Sequence, residues 1–294
     1  MKNIRQLKVT GALVGLSLVA GAWSSVGDPP HVWLTSEVIG MKVVSQDGES
    51  LGKIEDLVVH PGGETSYAVL SFGGWLGMGD KLFAMPWSVL RTVELDTAKK
   101  DSERSLVLPL DKERLKLAPG FDKKNWPVVA NANWTKDIDA FYVGSTNPDS
   151  RRPIEAASRT PVITWKATDL RGANVETPAG KKLGDIKELA IDTNGRVSYA
   201  TLSVGGFLGM DDRLVAVPWD AFKFSLAGDK GDEKLITLAT TKEQLEQAPQ
   251  FKEGKEHRAE MCAPRWVNRV HDYFSCPPYW KNEDAPASPQ GSGE

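Results

Sequence analysis

Ser66–Trp87 reads SYAVLSFGGWLGMGDKLFAMPW, and Ser198–Trp219 reads SYATLSVGGFLGMDDRLVAVPW. The two runs lie 132 positions apart. The match extends without a gap from residues 33–90 to 165–222, with 24 of 58 positions identical. Agreement of that extent marks an internal duplication. It supplies a comparison within one chain. A position identical in both copies serves the shared fold, whereas a chemical site needing one special residue is expected where the copies differ.

The duplication continues outward. Leu106–Phe121 resembles Ile236–Phe251 at an offset of 130, which places a two-residue deletion in the second copy opposite Asp96–Ser105. Trp134, Ile138, Phe141 and Tyr142 then match Trp266, Val270, Tyr273 and Phe274, back at 132. Unit 1 is read as 33–142 and unit 2 as 165–276, each ending in a helix. The Ser-, Pro- and Arg-rich stretch between them, 143–164, reads as a linker. Residues 277–294 are rich in Pro, Ser and Gly and read as a disordered tail.

Within a unit the expected structure is mostly β. Strands are expected near 42–45, 52–59, 65–72, 81–85, 90–95 and 105–109, separated by glycine-containing turns. A capped single turn is expected at Ser36 and Thr168, ending at Gly40 and Gly172. In strand 65–72, Ala68, Leu70 and Phe72 stay apolar as Ala200, Leu202 and Val204, while Val69 becomes Thr201. Period-two alternation predicts one buried face, with Val69 and Thr201 more exposed. Asp111–Ala118 and Thr241–Ala248 read as short helices stopped by Pro119 and Pro249. Trp134–Tyr142 carries one apolar stripe of a second helix, expected to cover the open end of its own barrel.

Lys2, Arg5 and Lys8 precede an apolar stretch from Val9 to Ala22, and Ala20-Gly21-Ala22 offers small residues for cleavage. Residues 1–22 therefore read as a signal peptide. The alternative is an uncleaved anchor extending to Val26, which alone would tie the chain to a membrane. Either layout keeps the positive charges inside and places the rest in the periplasm or outside the cell. Net charge is −3 with no Lys/Arg run, so nucleic-acid binding is not expected.

Cys262 and Cys276 form an even pair in a chain read as exported, which predicts a disulfide closing a 15-residue loop. Such a loop contributes ~3 kcal/mol in the chain-entropy model. A continuous helix between them would hold the cysteines about 21 Å apart, against ~5.5 Å between the Cα atoms of a disulfide. Bridging therefore requires a helix confined to about Arg265–Tyr273 with both ends folding back, near Pro264 and Pro277-Pro278.

The ordered motifs resemble the PRC-barrel family, named for a domain of the photosynthetic reaction-centre H subunit. The carrying residues are Gly40 and Gly172, then Gly48, Leu51, Gly52 and Ile54, matched by Gly180, Leu183, Gly184 and Ile186. Tyr67-Ala68 and Tyr199-Ala200 follow. The signature is Gly73, Gly74, Gly77 and Asp80 with Pro86 and Trp87, repeated as Gly205, Gly206, Gly209 and Asp212 with Pro218 and Trp219. The resemblance implies an all-β-dominated fold of two tandem small six-stranded PRC-type β-barrels, each followed by short helices. It also implies an interaction module, not an enzyme. The ribosome-maturation and reaction-centre branches are cytoplasmic, which leaves the exported tandem type.

The glycine-rich signature leads toward another strand at Lys81–Ala84, so it reads as a structural turn rather than a phosphate cradle. Asp80 and Asp212 are the only carboxylate identical in both barrels, read as holding backbone N–H groups of that loop. His31, His60, His257 and His271 have no His partners in the other copy, and neither metal nor cofactor is expected. Trp75 and Phe207 place an aromatic at the tip of the same loop in both copies and are the candidate binding residues. The expected role is therefore that of a non-enzymatic exported module binding an unknown protein partner. The alternative is an envelope enzyme, hydrolytic or metal-dependent, with its site between the two barrels.

Overall fold

β-branched and aromatic runs between the glycine turns form the strands of both units. A computed structural model describes residues 31–72, 81–94, 104–124, 126, 132–143, 164–205, 213–227, 233–252 and 258–278. Unit 1 runs β1 (Val32–Leu34), α1 (Thr35–Val38), β2 (Lys42–Val44), β3 (Ser50–Val59), β4 (Thr65–Ser71), β5 (Lys81–Pro86), β6 (Arg91–Glu94), β7 (Arg104–Val107), α2 (Lys112–Lys116), β8 (Gly120–Asp122) and α3 (Ala132–Val143). Unit 2 runs β9 (Trp165–Lys166), α4 (Ala167–Leu170), β10 (Asn174–Glu176), β11 (Lys182–Asp192), β12 (Val197–Val204), β13 (Arg213–Pro218), β14 (Phe222–Ala227), β15 (Glu233–Leu238), α5 (Lys242–Gln247), α6 (Arg258–Met261) and α7 (Pro264–Tyr273).

Each unit supplies one mixed sheet. In unit 1 the order is β6-β7-β2-β3-β4-β5-β8, and in unit 2 it is β13-β12-β11-β10-β15-β14. Neighbours are antiparallel except β2 with β7 and β10 with β15. Where unit 1 pairs Phe83 with Gly120 in β8, unit 2 keeps a single bridge between Val215 and Gln250. The strand positions follow the sequence reading closely. Gly52 and Gly184 are required by close approach: a Cβ there would lie 2.2 Å from the Ser71 carbonyl oxygen and 2.1 Å from that of Ser203.

The first strand of each unit is not part of its own sheet. β1 pairs antiparallel with β11 of unit 2, Trp33 opposite Ile191, and β9 pairs with β3 of unit 1, Trp165 opposite Val59. Sequence alignment assigns Trp33 to unit 1, yet its strand docks on unit 2. One apolar cluster accordingly runs through both units, from Trp33 and Leu57 to Leu189 and Trp219.

Ala68, Leu70, Ala200 and Leu202 are buried as the alternation predicts. Val69 and Thr201 are also buried, at 0% and 1% exposure, which corrects the one-faced reading. The reason is the placement of the terminal helices. They pack against the second face of these strands. Tyr199, Ala216 and Ala190 pack with Trp266, Val267 and Val270 of α7, so β12 is covered on both sides. In unit 1, α3 brings Trp134 edge-on to Tyr67 at 5.7 Å between ring centroids.

The short helices hold to their expected starts. The Asp111 carboxylate accepts from the Arg114 N–H at 2.6 Å, and Thr241 and Gln244 close a reciprocal capping box.

Candidate functional site

The densest meeting of recurrent residues is the joint between the units, built from two crossed contacts and their images. The first starts in a strand irregularity. The β3–β4 register shifts between Ile54 and Asp56, and the β11–β12 register shifts between Ile186 and Glu188. A bulge re-aims the side chain that follows it. Here it turns Asp56 and Glu188 inward, both under 10% exposed. Asp56 accepts from the Thr168 hydroxyl at 2.5 Å and the Thr168 N–H at 3.2 Å, both in unit 2. Glu188 accepts from the Thr35 hydroxyl, and from the Ser36 N–H at 3.3 Å, both in unit 1. Each carboxylate thus caps the first helical turn of the other unit. The Asp56 and Glu188 carboxylates also accept from the following N–H of Leu57 and Leu189.

The caps expected at Ser36 and Thr168 are therefore supplied across the joint. The residues preceding α1 and α4 are Leu34 and Lys166, and neither makes a side-chain cap bond. Burial holds the Asp56 carboxyl above its usual range, opposed by the hydrogen bonds from Thr168 and Leu57.

The second contact seats an indole on a glycine turn. Trp87 Nε1 donates to the Thr193 carbonyl at 3.4 Å, and Trp219 Nε1 donates to the Pro61 carbonyl at 2.8 Å. The rings lie over Gly195 and Gly63, whose φ angles are +84° and +94°. A Cβ at Gly195 would come within 2.3 Å of Trp87, and one at Gly63 within 2.8 Å of Trp219. The turns also bond each other. Thr65 N–H donates to the Gly195 carbonyl at 2.7 Å, and Val197 N–H donates to that of Gly63 at 2.8 Å. Beside them Arg196 pairs with Glu64 at 2.9 Å and with Asp220 at 3.2 Å.

The remaining buried polar groups close each unit on itself. Tyr67 donates to Asp139 of α3 at 3.2 Å. Burial raises both the Asp139 carboxyl and the Tyr67 phenol. At the matching place in unit 2, Tyr199 meets His271 Nε2 at 3.1 Å, and His271 Nδ1 lies 2.8 Å from the Cys276 carbonyl. A carbonyl only accepts, so Nδ1 carries a proton, and in the neutral ring Nε2 accepts from Tyr199.

The expected disulfide is not formed: Cys262 and Cys276 are both free. The ten-residue helix α7 stands between them, a rise of ~15 Å. Its C-terminal end folds back only one turn. Ser275, at φ 51°, lets the Cys276 N–H reach the His271 carbonyl at 3.0 Å. At the other end Cys262 Sγ lies 4.0 Å from His31 Nδ1. Burial pushes the Cys276 thiol up to about 11, with Asp220 adding to the shift. That is the opposite of an activated thiolate.

Of the residues singled out from the sequence, Pro86 and Pro218 end β5 and β13, and Trp87 and Trp219 begin the single turns that follow. Gly205 takes φ +88° with open space around it. Trp75 and Phe207, and Gly73, Gly74, Gly77, Asp80, Gly206, Gly209 and Asp212, lie outside the described residues, as does the 1–22 segment. Sequence reasoning misses Asp56 and Glu188 because identity between the copies singles out only carboxylates of equal length. The available signal is a carboxylate of either length at one aligned position, between Ile54 and Leu57 and between Ile186 and Leu189.

Two β-rich units that exchange their first strands define the class, a tandem β-module protein closed by terminal helices. The PRC-barrel domain model matches residues 33–114 and again 165–245. The chain belongs to the PRC-barrel domain family. No curated protein matches it.

Proposed function

We propose that this PRC-barrel chain is an exported, non-enzymatic protein acting as a protein-interaction and assembly module in the periplasm or cell envelope. The observation that carries the reading is the use made of the recurrent residues. Trp87 and Trp219, Gly63 and Gly195, and the Asp56 and Glu188 carboxylates all bind one unit to the other. Residues at matching positions of both copies thus serve to join the two units. Export rests on the charged and apolar layout of residues 1–22. Partner binding is assigned to Trp75 and Phe207, one aromatic on the signature loop of each unit.

The test places a photo-crosslinking residue at positions 75 and 207 of the full chain in its native cells. The expected result is a mature chain beginning at Trp23 in the envelope fraction, crosslinked to an envelope protein from both positions. A cytoplasmic chain retaining Met1, or one without adducts from either position, overturns the proposal.

A further inference from the structure

The joint carries one departure from its own symmetry. Aligned positions 64 and 196 face each other as an antiparallel bridge, and they hold opposite charges, Glu64 and Arg196. A pair of two unit 1 copies would set Glu64 against Glu64, and a pair of two unit 2 copies would set Arg196 against Arg196. The crossed caps diverge in the same sense. The shorter Asp56 meets Thr168, whereas the longer Glu188 reaches Thr35. Like charges facing each other at close range exclude wrong partners.

We propose that the joint is a heterologous self-recognition surface: unit 1 accepts unit 2, from its own chain or from a second copy of this chain, and rejects a like unit. Among the described residues, the contacts that hold the units are non-covalent. They include the β1–β11 and β9–β3 pairings, the two indole seats, the two crossed caps, the paired turns and the Glu64–Arg196 bridge. Nothing in them distinguishes a unit of the same chain from the opposite unit of another. This inference stands apart from the proposed envelope role and holds whether or not an outside partner exists.

The full chain is given a protease site within 144–163, folded, and then cut. The halves are expected to stay together on size exclusion and to resist dilution to nanomolar concentration. When light and isotopically heavy cut samples are unfolded together and refolded, native mass spectrometry should show one unit 1 half with one unit 2 half, labels mixed at random. Glu64→Arg should weaken the cut complex roughly tenfold, about 1.4 kcal/mol; adding Arg196→Glu, together with Asp220→Ser to remove the carboxylate that also faces position 196, should restore it. Halves that separate on dilution overturn the proposal, with no refolding needed to see it. So do like-with-like pairs, unmixed labels, or a charge exchange, with Asp220 neutralised, that fails to restore binding.

Discussion

In unit 1 the outer face of the sheet is closed by α3, with Tyr67 against Trp134 and its hydroxyl on Asp139. In unit 2 the closing helix is α7, and the same tyrosine position meets Trp266 and His271. The partner of the tyrosine thus changed from an acid to an imidazole without changing the architecture. At the joint the record is different. Trp87 and Trp219, and Gly63 and Gly195, are retained as they stand. A helix closing its own unit can diverge with local repacking. A joint residue is answered by the other copy, so it stays fixed or changes in a complementary way, as Glu64 and Arg196 did.

The largest expected effect breaks the joint outright. Trp87→Ala and Trp219→Ala each remove a buried indole and should cost ~3–5 kcal/mol. Because one apolar cluster spans both units, either change should lower a single cooperative unfolding transition. Two separate transitions in calorimetry would show the units to be independent. Trp219, with its shorter hydrogen bond of 2.8 Å against 3.4 Å, should prove the costlier of the two.

Adding one methyl group under the rings comes next. Gly195→Ala places a side chain in left-handed backbone, ~1–2 kcal/mol, and overpacks the indole, ~1–3 kcal/mol. Gly63→Ala should cost less, since a Cβ there would stop 2.8 Å from the Trp219 ring, against 2.3 Å between a Cβ at Gly195 and Trp87. Equal losses in denaturant melts would mean that the indole moves freely on both sides.

The Asp56 cap depends on pH. Burial raises the Asp56 carboxyl in the folded chain, so its ionised form is the disfavoured one. Its contribution is full below the ordinary Asp range and is lost as pH rises through the raised folded value. The stability of wild type relative to Asp56→Asn should therefore decline from the carboxylate range toward neutrality, read by denaturant melts. A difference growing with pH would reverse the assignment. The smallest effect belongs to the partly exposed ion pair: Arg196→Ala should cost under ~1 kcal/mol and fade in high salt.

Most of the strand pattern was legible from residues. Period-two runs between glycine turns reflect local backbone preference, and the duplication checks each one against its copy. The family was legible for the same reason, since the order of Gly, Tyr-Ala and Pro-Trp is a property of the chain itself. Burial of Val69 and Thr201 was not legible. Alternation reports one sheet face against water and cannot register a helix that arrives from 60 or more residues later to cover the second.

What the sequence by itself determined is local: the repeat, the strands, the glycine turns and the caps of α2 and α5. Tertiary structure alone decided which unit each element serves. β1 and β9 read the same whether they pair at home or across the joint, because edge hydrogen bonds come from backbone common to every residue. The choice fell to packing. Across the joint Asp56 finds Thr168, Glu188 finds Thr35, and each indole finds a glycine turn. Tertiary structure also decided the cysteines: the fold-back at Ser275 returns Cys276 only as far as His271, and both thiols stay free.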